Sequence, residues 1–170
     1  MAVETMDVDP EEQLSFLRMC CFDTLKEQLA SFDLNAQLPT QFLDTLNEKD
    51  KTICYCATLL CHMVCKQVPR EMQLRTVLAD VNGKDCLVSA GTGSGKTLPI
   101  ALKILLDDPT RNRISLTVSP LKRLQTTQEN DFNTRYRIPT VVINEDTPRD
   151  DAWWTVSYAL STRSLTIAVS

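Results

Sequence analysis

The residues best suited to chemistry form one run, Ser89-Ala90-Gly91-Thr92-Gly93-Ser94-Gly95-Lys96-Thr97-Leu98. Glycines at 91, 93 and 95 let a backbone curl until successive N–H groups face one point, which makes a concavity for an anion. A helix starting near Lys96 adds the positive end of its dipole. In a phosphate-binding loop of this kind, a lysine at position 96 reaches β- and γ-phosphates and a hydroxyl at position 97 holds Mg²⁺. The expectation is a magnesium nucleotide cradled by Ala90, Gly91, Thr92, Gly93, Ser94, Gly95, Lys96 and Thr97. Lys96 is the catalytic cation and Thr97 the metal ligand.

A second group invites a metal reading: Cys54, Cys56, Cys61, His62 and Cys65 lie within twelve residues. Their spacing opposes it. No C-x-x-C pair is present, and one helix cannot wrap four ligands around one ion. Cys54, Cys61 and Cys65 share a helical face, where they serve as small core residues. His62 is the only histidine, so no Ser/His/Asp or Cys/His catalytic set can be assembled.

Elements must position the loop. Asp85 to Val88 is short and apolar and reads as a buried strand entering it. Leu98 to Leu106 reads as the helix leaving it, with Pro99 in the first turn, where a missing N–H costs little. Ile114 to Val118 and Thr140 to Ile143 read as further buried strands, and Leu165 to Val169 as a fourth strand or an unfolded end. Ser119-Pro120 starts a helix with Leu121 and Leu124 facing inward. Thr147-Pro148 starts another, containing Trp153 and Trp154. Strands alternating with helices predict a parallel sheet, with the nucleotide at its carboxyl edge. Upstream, Leu14, Leu17, Cys21, Leu25 and Leu29 recur at helical spacing. Thr40 can cap a short helix that runs through Leu46, and a longer helix runs from about Asp50 to Gln67. Arg70 to Val81 is a helix that Pro69 can start and Gly83 can cap. The expected organisation is a helical appendage, residues 1–68, ahead of an α/β unit, residues 69–170.

With 170 residues, 43% hydrophobic and 24% charged, the chain suits one soluble globular unit. Residues 1–68 carry 5 Lys/Arg against 11 Asp/Glu, and residues 69–170 carry 13 against 11. Charge alone therefore does not predict nucleic-acid binding. Seven cysteines behind an acidic N-terminus suggest reduced thiols and a nuclear or cytoplasmic setting. Ile53 to Cys65 is too short to span a membrane, so no membrane partner is expected.

Three stretches together resemble superfamily 2 helicases of the DEAD/DEAH-box type, most closely the RecQ-like group. Pro69-Arg70-Glu71-Met72-Gln73 resembles the adenine-reading motif that precedes the loop in this family, with Pro69 where RecQ-like proteins have an aromatic. Gly83-Lys84-Asp85-Cys86-Leu87-Val88 is similar to the RecQ-like approach to the loop. The loop itself has Ala90 where the general motif has glycine, as superfamily 2 helicases do. Ser119-Pro120-Leu121-Lys122-Arg123-Leu124-Gln125-Thr126-Thr127-Gln128 resembles the motif that touches the backbone of single-stranded DNA. The resemblance covers about residues 69–150. It implies a RecA-like P-loop NTPase fold, ATP with Mg²⁺, adenine selection by Gln73 and packing of Arg70 near the base. It also implies single-stranded or duplex DNA at Ser119, Pro120, Lys122 and Arg123. For Lys122 and Arg123 a solvated helix face is the competing reading.

The family hydrolyses ATP with an Asp-Glu-x-His or Asp-Glu-Ala-Asp motif, and nothing after Thr97 matches it. Neither a second lobe nor its arginine finger is recognisable. The expectation is an incomplete lobe that ends before its catalytic acid, binding nucleotide with at most trace hydrolysis. ATP-dependent 3′–5′ unwinding is expected only of a full-length relative. A non-hydrolysing ATP-binding or interaction module, and another P-loop NTPase or kinase, remain the alternatives.

Overall fold

The computed structural model describes residues 9–111, 113–148, 150–151 and 155, and the backbone of 166–169. The helix expected around Trp153 and Trp154, and the acidic residues 1–8, lie outside the described residues.

Seven α-helices and three strands make up the described chain: α1 (Pro10–Met19), α2 (Phe22–Ser31), α3 (Thr40–Leu43), α4 (Glu48–Cys65), α5 (Glu71–Val81), α6 (Thr97–Leu106), β1 (Ser115–Val118), α7 (Lys122–Asn130), β2 (Thr140–Ile143) and β3 (Thr166–Val169). The helical spacing that runs from Leu14 to Leu29 is split between α1 and α2. Cys20 and Cys21 are both extended, so the chain turns there, and Phe22 stacks on Tyr55 with ring centroids 5.3 Å apart. The turn lets Leu14 and Leu17, then Leu25 and Leu29, all reach the same core. Periodicity could not reveal it, because a spacing of four continues across the break.

Helix α4 is the central helix. Asn47 caps it by accepting from the Asp50 N–H at 2.9 Å. Its middle is buried all round, with Cys54, Cys56 and Cys61 among the buried residues. Among the described residues, no group of His, Cys, Asp or Glu is arranged to hold a metal ion. Leu59 and Leu60 of α4 share one core with Leu25 and Leu29 of α2 and with Leu98, Leu102 and Leu105 of α6. The helices expected as an appendage thus pack directly on the helix that follows the glycine-rich loop. A second cluster joins α3, α4 and α5 through Phe42, Cys54, Ala57, Leu74 and Leu78. No described helix is long and apolar enough to cross a membrane.

The sheet is small and parallel, in the order β1-β3-β2. Thr166 pairs in register with Ser115 on one side and Thr140 on the other. The last expected strand therefore forms, and it lies between the other two. Helix α7 packs against β2 and β3.

Three expectations fail here, one of them at α7, where Leu121 and Leu124 are 63% and 44% exposed instead of facing inward. Asp85–Val88 is not a strand, and Leu87 is 98% exposed. An apolar run marks a residue's fitness for burial, but a strand also needs neighbours for its N–H and C=O groups. The described ladder pairs β3 with β1 and β2 and leaves 84–90 outside it. β1 is likewise not buried: Leu116 is 62% and Val118 72% exposed, because no described element covers that face.

Candidate functional site

Residues 90–97 form a closed turn. Lys96 bends back so that its Nζ donates to the carbonyls of Ala90 and Gly91, both at 2.8 Å. The Ser94 N–H bonds the Gly91 carbonyl at 3.3 Å. Gly93 and Gly95 take φ of +79° and +78°, a left-handed backbone that suits glycine. Ala90 does not, so the alanine in place of glycine carries no backbone strain. The N–H groups of Gly93, Gly95, Lys96 and Thr97 bond nothing among the described residues. Thr97 is the first residue of α6, whose dipole adds positive potential at that point. Four free donors, a lysine and a helix start converge on one turn. Such a group attracts an oxyanion and matches the requirements of a nucleotide's phosphates.

Helix α5 locks the turn from behind. Gln73 is only 4% exposed. Its Oε1 accepts from the Arg70 N–H at 2.7 Å, which caps α5 from its third residue. Its Nε2 donates to the Gly95 carbonyl at 3.1 Å and the Ser94 carbonyl at 3.4 Å. A Cβ on Gly95 would meet Nε2 at 2.6 Å. The residue expected to read adenine here holds the loop, with both ends of its amide engaged. Reading the capping bond needed only the i, i+3 spacing from Arg70 to Gln73. The bond to the loop spans more than twenty residues and has no sequence signal.

A cavity opens on each side of the turn. One, of about 390 Å³, is lined by Arg70, Gln73 and Gly93 to Gly95, and also by Lys66, Arg135 and Tyr136. The other, of about 610 Å³, is lined by Lys96, Lys84, Val88 and Pro99, and by Ser115 to Thr117 of β1. Lys66, Arg135 and Tyr136 were not foreseen. Lys66 is the left-handed residue that ends α4, and Arg135 and Tyr136 arrive through a π-helical turn after α7. Arg135 also stands near Cys65. The hydrogen bond shared with Cys61 lowers the Cys65 thiol from its ordinary value, and the Arg135 charge adds to the effect.

The nucleic-acid residues expected at Ser119, Pro120, Lys122 and Arg123 lie at the β1–α7 junction. Ser119 is buried and its Oγ has no partner among the described residues, while its carbonyl accepts from Gln125 Nε2 at 2.7 Å. Pro120 and Arg123 are exposed. Lys122 is ion-paired with Glu145 and with Asp146, the latter at 2.8 Å. Hydrogen bonds to these carboxylates push the lysine's pKa up from its ordinary value. The pairing was invisible in the sequence because the acids follow β2, more than twenty residues away.

A family model described as DEAD/DEAH box helicase matches residues 70–162, more than half of the chain. Searches of curated proteins and of solved structures found no match.

Proposed function

We infer the function from one premise: the chain belongs to the DEAD/DEAH box helicase family. Helicase domains of this kind use ATP, generally with Mg²⁺, and act on nucleic acid. We propose that this chain binds Mg-ATP at Ala90–Thr97. The observation that carries the reading is the turn itself: free N–H groups at Gly93, Gly95, Lys96 and Thr97, and Lys96 already folded over the loop. The triphosphate draws the ammonium of Lys96 from the two carbonyls, and Thr97 offers its hydroxyl to the metal. Arg70 and Gln73 line the cavity assigned to the base, where adenine selection needs one end of the Gln73 amide to leave the loop.

The finer reading is RecQ-like, with DNA as the nucleic acid. Pro120 and Arg123 face the backbone phosphates with the buried Ser119 behind them, and Lys122 joins them by exchanging its carboxylate partners for phosphate. The 170 residues contain no Asp-Glu-x-His or Asp-Glu-Ala-Asp pair to orient a water. The activity proposed for this chain is therefore binding, with at most trace hydrolysis.

Titrations with Mg-ATP, Mg-GTP, single-stranded DNA and single-stranded RNA test both levels. ATP preferred over GTP and DNA preferred over RNA are the expected results. Equal binding of ATP and GTP removes the adenine reading, and equal binding of DNA and RNA removes the RecQ-like one. The absence of the acidic pair also favours a non-hydrolysing ATP-binding module as a second reading. DNA-stimulated ATP turnover that disappears in Lys96→Ala excludes it.

A further inference from the structure

We propose that Lys66 and Arg135 hold the α-phosphate of the bound nucleotide, from outside the glycine-rich turn. The proposal rests on the Mg-ATP reading above and adds two contacts to it. Both residues line the cavity of about 390 Å³ bordered by Gly93, Ser94 and Gly95, and Arg70 joins them there. No described Asp or Glu lines this cavity. The chain as a whole has 22 Asp/Glu against 18 Lys/Arg, so three cations without an acid depart from its average surface. Among the described residues, none of the three is ion-paired. All three are exposed, so their charged ends can meet a ligand. Like charges around one concavity raise its positive potential, and a bound anion relieves it.

The order of parts along a nucleotide decides which phosphate is held. Lys96 lines the opposite cavity and bends over the turn toward Ala90 and Gly91, so the β- and γ-phosphates belong on that side. Arg70 and Gln73 line the cavity assigned to the base. The α-phosphate falls between these ends, beside Gly93 to Gly95, and Lys66 and Arg135 are the cations left to meet it. Separate elements supply the two. Lys66 ends α4 with a φ of +55°, and its N–H bonds the His62 carbonyl at 3.0 Å. Glycine takes this backbone at lower cost, so the cap itself gives lysine no advantage. The Arg135 guanidinium lies 5.4 Å from the centre of the Tyr136 ring, which is buried. The ring steadies the guanidinium, whose planar fork suits phosphate oxygens. Lys66 precedes the family match at 70–162, so nucleotide held this way ties α4 to the loop.

Calorimetric titration of the full chain with Mg-ATP and Mg-ADP tests the proposal. Lys66→Gly removes the charge and suits the left-handed cap, so its stability in denaturant is expected to hold or rise. It should weaken both nucleotides at least fivefold and to the same extent, because both carry the α-phosphate, and Arg135→Gln should do likewise. Lys66→Arg, which keeps the charge, should bind as the parent does. If the parent binds Mg-ATP and the two neutral variants bind equally well, the proposal is overturned and the Mg-ATP reading stands. A loss confined to Mg-ATP also overturns it, since the cations would then serve the γ-phosphate, and so does binding by Lys66→Arg as weak as that by Lys66→Gly. A parent that binds neither nucleotide removes the Mg-ATP reading and this proposal with it.

Discussion

At Gly95 a left-handed φ of +78° and the Gln73 amide impose independent demands. Gly95→Ala combines backbone strain with a side-chain clash, and about 1–3 kcal/mol of stability is expected to be lost, together with nucleotide binding. Gly91 has neither a left-handed φ nor a heavy atom within 4 Å of an added Cβ. Gly91→Ala therefore keeps its fold in denaturant titration, and parity between the two variants would contradict this account of the loop. The buried thiols make a separate prediction. Burial pushes Cys54 and Cys56 up to about 12, from an ordinary value of 9.0. A raised folded pKa means that their stabilising share is complete below about pH 9 and falls as pH rises toward 12. In that window each thiol should reduce stability by about 1.4 kcal/mol per pH unit. Replacing Cys54 and Cys56 together by alanine should flatten the alkaline limb of a stability–pH profile. An unchanged slope would show that these thiols ionise as freely folded as unfolded.

The end of α5 was the best-signalled feature at the scale of elements, because its chemistry is local, whereas the break between α1 and α2 left no mark in the leucine spacing. Gly83, with φ +69°, closes α5: its N–H bonds the Asp80 carbonyl at 2.9 Å and the Lys84 N–H bonds that of Ala79 at 2.8 Å. Gly83→Ala is expected to cost about 1 kcal/mol, and Asn47→Ala at the start of α4 about the same, in thermal or denaturant unfolding. Wild-type stability in both variants would mean the caps are idle. Strands were less legible for a physical reason. Cys86, Leu87 and Val88 have the composition of a buried strand, but a ladder needs a neighbour, and neighbours are set by the rest of the chain. The same reason explains why Thr166–Val169, at the far end of the sequence, occupies the middle of the sheet.

For the whole molecule, the common core of α1, α2, α4 and α6 makes the glycine-rich loop depend on the helices before it. Leu25→Ala on α2 and Leu102→Ala on α6 should each cost about 2–5 kcal/mol. Both should shift a single cooperative transition, seen alike by every probe. Two separate transitions would show instead that residues 1–68 fold independently. The loop, its lysine and the helix after it were legible because glycine spacing and a Lys-Thr pair are local signals with one chemical use. The cradle behind it was not, since Gln73, Lys66, Arg135 and Tyr136 meet only through tertiary packing. The account rests on a magnesium nucleotide closing that cradle. Calorimetric titration of the full chain with Mg-ATP, beside Lys96→Ala, tests it most directly. Saturable one-to-one binding, weakened at least tenfold by the substitution, is the predicted result; no binding, or binding unaffected by the loss of Lys96, would contradict it.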